Sequence, residues 1–172
     1  MLKKSTNETC NAYRKARIKA SSCNERLSSR EGASEICGID RTRLARIEIG
    51  TKTPYPEEIL ILADKYNAPE LKNWYCSHEC PIGKETVPCL TVTNADRAVF
   101  NFTAAYINLK RGEAEIEELA IHAAKSGTVT GDFMPLLRRT MERAELLSVR
   151  SQELSLWAEK NKEFTEKAGE NG

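Results

Sequence analysis

Residues 29–50, SREGASEICGIDRTRLARIEIG, read as two short helices joined by a turn at Cys37-Gly38-Ile39. The small or apolar positions are Ala33, Ser34 and Cys37 before the turn, Ile39 after it, then Leu44 and Ile47, and these side chains can close on one another. Gly38 stands where the chain must reverse, and glycine enters the left-handed conformation without steric penalty. Asp40 fits an N-cap, because its carboxylate can accept from the free amides of the next turn, so the second helix is expected over 41–49. On it Leu44 and Ile47 face inward, which leaves Arg41, Thr42, Arg43 and Arg46 outward as a basic face.

Helices are expected on both sides of this pair. From about Glu8 to Ser22, Tyr13, Ala16, Ala20 and Cys23 are spaced for one face, with Arg14, Lys15, Arg17 and Lys19 on the other. Ser21 to Ser29 reads as a connection. After Gly50, Pro56 suits the first position of a fourth helix, with Glu57 and Glu58 in its favourable first turn and Ile59, Leu60, Leu62, Ala63 and Tyr66 on its apolar face. A short fifth helix from Pro69 brings Leu71, Trp74 and Tyr75 to close the core.

Net charge over the 172 residues is only +1, yet it is segregated: residues 1–53 hold twelve Lys and Arg against six Asp and Glu, and residues 54–172 hold fourteen against nineteen. That is the pattern expected of an electrostatic footprint on one domain. With 40% hydrophobic and 30% charged residues the composition is that of a folded chain. Lysines near the N-terminus have no apolar run behind them and no stretch approaches 18 apolar residues, so a cytoplasmic protein without membrane association is expected.

The cysteines are Cys10, Cys23, Cys37, Cys76, Cys80 and Cys89, and without an export signal thiols are the expected state. Cys76, His78, Cys80 and Cys89 carry donors suited to zinc, but one Cys-x3-Cys pair without a second is a poor spacing for a tetrahedral site. No cofactor is expected; reduced cysteines packed beneath Trp74 and Tyr75 are, with zinc or an iron-sulfur cluster as the alternatives. No phosphate-binding glycine loop, Gly-x-Ser-x-Gly or His-Glu-x-x-His occurs, and His78 and His122 lie in different segments with no evident acid partner, so no enzyme is expected.

From Asn94 the period is that of long helices. Val99, Phe102, Tyr106 and Leu109 form a stripe that Ile116, Ala120 and Ala123 resume after Gly112; a break at 126–131 follows, with Asp132 placed to begin the next helix. There Leu137, Thr140, Ala144, Leu147, Ser151, Leu154 and Ala158 keep the spacing. Two such stripes predict an antiparallel hairpin. Phe100, Leu119, Leu136, Leu146 and Trp157 lie partly off the seam and need another surface: a second copy, a partner protein, or the N-terminal domain of the same chain.

Over about residues 8–75 the pattern of Ala33, Gly38, Ile39, Leu44, Ile47, Glu48 and Gly50, followed by the Pro-containing link to another helix, resembles the lambda repressor and Cro-like (XRE) helix-turn-helix family. Ser34 stands where that family usually has Ala, and Gly32 inside the first helix of the pair should cost about 1 kcal/mol relative to Ala. Asn73 to Gly83, NWYCSHECPIG, is similar to a segment that follows the helix-turn-helix in some small Firmicutes regulators.

The resemblance implies a five-helix lambda-repressor-like DNA-binding domain over 1–75; with the periodicity of the rest, the chain is expected to be all-α, with a Cys-containing connector over 76–94, a helical hairpin over 95–165 for dimerisation or partner docking, and a frayed tail at 166–172. It implies a sequence-specific transcriptional regulator that binds an operator as a homodimer. Arg41, Thr42, Arg43 and Arg46 would reach base edges, and Arg30, Lys52, Arg14 and Arg17 would approach phosphates. The alternatives are a protein-interaction module, antitoxin-like or accessory, with a degenerate helix-turn-helix, and a metal- or redox-responsive regulator using Cys76, Cys80 and Cys89.

Overall fold

In the computed structural model of the chain, residues 11–126 and 131–162 are described, except for the side chains of 126 and 132. Nine α-helices and no strand occur among them. The chain divides between Cys89 and Leu90 into two compact units.

The first unit holds α1 (Ala12–Ala20), α2 (Arg30–Cys37), α3 (Arg41–Ile49), α4 (Pro56–Lys65), α5 (Glu70–His78) and the short α6 (Gly83–Thr86). Local chemistry sets their starts. Asn11, Ser29 and Asp40 each accept a backbone N–H with the side chain, from Tyr13, Gly32 and Arg43 at 2.9, 3.0 and 2.9 Å, caps typically worth about 1 kcal/mol each. Pro56 opens α4. Gly38 and Gly50 end α2 and α3 with φ of 66° and 79°, the left-handed region. Ser34 Oγ donates to the Ile39 carbonyl at 2.6 Å, so the serine closes the turn. Tyr13, Leu27, Ala33, Leu44, Ile47, Leu62 and Leu71 form the centre of one core.

Several details depart from the reading of the sequence. The connection 21–29 contains a 3-10 turn at Glu25–Ser28, and it buries Leu27. Gly32 is required by that turn: a Cβ there would stand 2.2 Å from the Arg26 carbonyl oxygen. Cys23 is exposed, not in the core. Trp74 is at the surface with its ring stacked on His78, centroids 3.7 Å apart, so it does not cap the core. Of residues 76–94, expected as a connector, 76–89 belong to the first unit and 90–94 to the second, with α6 packed on α5 and the Asn73 side-chain amide donating to the Pro88 carbonyl at 2.9 Å. Residues 8–10 of the expected first helix and the tail from 163 lie outside the described residues.

The second unit holds α7 (Ala95–Arg111), α8 (Glu113–Ser126) and α9 (Met134–Lys160). Asn94 caps α7 by accepting from the Arg97 N–H at 3.0 Å. The main packing is α7 on α9, and the pairing runs in opposite senses. The Thr91 amide donates to Glu153 at 3.0 Å, Arg143 to Glu115 at 2.6 Å, and His122 stacks on Phe133 at 3.6 Å. Gly112 separates α7 from α8 and lies under the Arg143 guanidinium; a Cβ would stand 2.0 Å from Arg143 Nη1.

The expected stripes are met in part. Ala98 and Ala105 are buried on α7, with Phe102 and Leu109 half-buried beside them, whereas Val99 and Tyr106 are exposed. On α9 Leu136, Glu153 and Leu156 are buried and Leu137, Thr140, Arg143, Leu147, Arg150, Leu154 and Ala158 are half-buried, while Ala144 and Ser151 are outside. Leu119, Leu136 and Trp157, expected off the seam, are covered within the chain; Phe100 and Leu146 remain exposed. α9 begins at Met134 after a 3-10 turn at Gly131–Phe133, later than Asp132, and 127–130 of the expected break are outside the described residues.

Candidate nucleic-acid interface

The outer face of α3 is set by what its inner face buries. Leu44, Ile47 and Glu48 point inward. Two of these are apolar, and the third is a carboxylate with no exposed side-chain surface. Glu48 receives Arg17 Nε on one oxygen and Arg17 Nη2, at 3.2 Å, on the other, and Arg30 Nε reaches the second oxygen at 2.7 Å. Arg17 Nη1 donates to the Leu27 and Ser28 carbonyls at 2.8 and 2.9 Å. One carboxylate thereby ties α1, α2 and the 3-10 turn to α3. A second tie comes from Asn11, whose side-chain amide donates to the Ile47 carbonyl at 2.8 Å.

This network corrects the place of Arg17. Its side chain is 4% exposed and its N–H groups are occupied by the protein, so it is an internal strut and not a phosphate contact. Arg30 is half-buried against Glu48 with its side chain 35% exposed, which leaves part of its guanidinium at the surface. Arg14 and Lys52 are exposed.

On α3 itself Arg41, Thr42 and Arg46 are exposed. Arg43 is held differently. Its Nε and Nη2 both meet the Glu58 carboxylate, the second at 2.7 Å, and the guanidinium carbon lies 4.1 Å from the centroid of the Tyr55 ring. Hydrogen bonding to Glu58 pushes the Arg43 pKa further up. Burial opposes the charge on Glu58, but the bonds from Arg43 and from the Tyr55 amide, the latter at 2.7 Å, outweigh it and leave its pKa below the ordinary glutamate value. Arg43 is thus a fixed, charged side chain buttressed from α4, while Arg41 and Arg46 have solvent-exposed positions.

The cysteine segment forms no ligand set. Among the described residues no three His, Cys, Asp or Glu side chains converge as metal ligands. Cys80 Sγ accepts from the Gly83 amide at 3.4 Å, and Cys89 Sγ lies 4.0 Å from His78 Nε2. Cys76 is half-buried. Gly83 is needed here because a Cβ would stand 2.2 Å from the Cys76 carbonyl oxygen.

The residue the sequence reading placed least well is Glu48, named only as part of a family pattern. Leu44, Ile47 and Glu48 are at i, i+3 and i+4, and Tyr13, Ala16 and Arg17 have the same spacing. Opposite charges sitting on two apolar stripes are the signal for a buried pair. No described helix is long and apolar enough to cross a membrane. Comparison of the chain with protein-family models, with curated proteins and with solved structures returns no match.

Proposed function

We propose that the chain is a sequence-specific DNA-binding regulator of the lambda-repressor-like kind, with α2 and α3 as its helix-turn-helix and α7 to α9 as a helical hairpin that supports dimer formation. The observation that carries this reading is the division of α3. Leu44, Ile47 and Glu48 fasten one face to the rest of the unit, and Arg41, Thr42 and Arg46 stand exposed on the other. A helix anchored in this way and ended by Gly50 can enter a major groove, about 12 Å wide, without disturbing the core behind it.

The roles then separate. Arg41, Thr42 and Arg46 read base edges; Arg43, held by Glu58, reads a base from one fixed position. Arg14, Lys52 and the exposed part of Arg30 approach phosphates, which fix register and carry no sequence information. The excess of Lys and Arg in residues 1–53 supplies the salt-dependent part of the affinity.

The test is selection from a pool of random duplexes at two salt concentrations. Recovery of a motif with two related half-sites is the expected result. Binding without a motif, or no binding at low salt, overturns the reading. A second reading, a protein-interaction module, draws on Ile49, Tyr55 and Leu60, large apolar side chains of the first unit that are each at least 60% exposed. It is favoured if a stoichiometric protein partner co-purifies and no DNA is retarded.

A further inference from the structure

The packing of α7 puts small side chains innermost and leaves several large ones outside. Against α9 it places Ala98 and Ala105 in the most buried positions, and it leaves Val99, Phe100, Tyr106 and Ile107 exposed at 51, 65, 51 and 44%. At 3.6 residues per turn these four fall on one face with Thr103 at their centre. An apolar face two turns long, on a helix already packed on its other side, is a surface that needs a partner.

The arrangement of that face identifies the partner. Thr103 is its midpoint: Phe100 and Tyr106 are three residues to either side and Val99 and Ile107 four. Seven residues to either side, still on the same face, stand Asp96 and Lys110, both exposed. A two-fold axis passing by Thr103 therefore lays Phe100 against Ile107 of a second copy, Val99 against its Tyr106, and Asp96 against its Lys110. Each pair then occurs twice. This is the self-complementarity required of an isologous interface, in which residue i meets j and j meets i. A heterologous partner has no need of such symmetry. Thr103, smaller than its neighbours, lets the two helices approach at the centre.

We infer that the exposed face of α7 is the homodimer interface of this protein, formed by antiparallel packing of two copies of the helix with Asp96 of each against Lys110 of the other. The inference rests on the dimeric reading proposed above and adds to it the surface and the register. The apolar residues supply the affinity. The charges lie at the rim, where they fix alignment and add little to binding. Asp96 and Lys110 each also complement the dipole at their own end of α7, so the test must separate pairing between copies from that effect within one copy.

Sedimentation equilibrium of the full chain without DNA does so. The native chain is expected at twice the 19.3 kDa of one copy. Phe100→Glu and Ile107→Glu, both at exposed positions, are expected to keep the native helical signal and weaken the dimer by about a hundred-fold or more. Asp96→Lys and Lys110→Asp, alone, are each expected to weaken it by about ten-fold. An equimolar mixture of these two single variants should regain the native dimer. A copy with lysine at both rim positions then faces one with aspartate at both, and each pair is opposite in sign. A dipole effect confined to each copy gives no such recovery.

A native chain that stays monomeric up to about 0.1 mM, a dimer that survives Phe100→Glu, or a mixture no tighter than its components overturns the interface. A monomer that still selects a DNA motif overturns this interface alone. A dimer lost in Phe100→Glu and regained in the mixture, but selecting no motif, upholds the interface and overturns the DNA reading.

Discussion

Glu48→Ala is the substitution that asks most of the first unit. The Glu48 side chain has no exposed surface, Arg17 is 4% exposed, and Arg30 is 35% exposed. Removing the carboxylate lets Arg30 turn to solvent, but Arg17 stays buried with its charge uncompensated and only the Leu27 and Ser28 carbonyls as partners. Breaking a buried pair from one side costs about 3–5 kcal/mol, a large share of the roughly 5–15 kcal/mol that holds a domain together. With a urea dependence of about 1–2 kcal/mol per molar for a unit of this size, the unfolding midpoint should fall by about 1.5–5 M.

The chain has two tryptophans, Trp74 in the first unit and Trp157 in the second. In a Trp157→Phe background the fluorescence of Trp74 follows the first unit alone, and the midpoint can be read there. The double variant Arg17→Met, Glu48→Leu removes both charges and fills their space with apolar atoms, so it should regain most of the loss. It should still fall short by about 1 kcal/mol, since the Leu27 and Ser28 carbonyls lose a donor. A shift below about 0.5 M for Glu48→Ala, or a double variant no more stable than the single one, refutes the view that a desolvated ion pair ties α1 to α3.

Other substitutions separate further parts of the argument. Arg46→Ala and Arg41→Ala should relax the preference of selected duplexes at particular positions, whereas Lys52→Ala should weaken binding evenly and lower the salt slope by about one. The Glu58 pKa is depressed in the folded chain, so its contribution to stability is present above the unfolded glutamate pKa and is lost as pH falls through the lower folded value. Urea midpoints of native chain and Glu58→Gln should therefore differ by a constant amount at neutral pH and converge only in acid below the ordinary glutamate range. Gly32→Ala should destabilise by about 1–3 kcal/mol because the new methyl meets the Arg26 carbonyl, the reverse of the roughly 1 kcal/mol gain that helix propensity suggests. Gly112→Ala meets only the far end of the Arg143 side chain and should cost no more than about 1 kcal/mol, the worth of the displaced pair with Glu115; thermal melts compare the two glycines.

The boundaries of α3 and the two glycine ends were legible because they depend on nearest neighbours. Asp40 caps within its own turn, and Gly38 and Gly50 supply conformations that other residues resist. Gly32 was not legible. Its reason is a carbonyl six residues upstream, brought close by a 3-10 turn that has no periodic signature. The site was legible in part for the same cause. Exposure of Arg41, Thr42 and Arg46 follows from the spacing of Leu44 and Ile47, but the engagement of Arg17 by Glu48 and of Arg43 by Glu58 joins residues 31 and 15 apart, and charge alone does not say which carboxylate a guanidinium will meet.

The stripe expected on α7 is met only at Phe102 and Leu109, for another physical reason, and the mismatch bears on the interface. Reading a helix by its largest apolar residues assumes that the bulkiest side chains go into the chain's own core. In α7 the innermost positions go to Ala98 and Ala105, with Phe102 and Leu109 half-buried beside them. Size then accumulates on the outer face, at Val99, Phe100, Tyr106 and Ile107. Periodicity weighted by size therefore merged two faces of α7 into one stripe, taking Phe102 and Leu109 from the inner face and Val99 and Tyr106 from the outer. A helix that must satisfy two partners has two apolar faces, and a single merged stripe is what they look like in one dimension. The Phe100→Glu experiment thus tests the explanation of the misread stripe along with the interface: if the outer face of α7 binds nothing, the large residues there have no reason to be large.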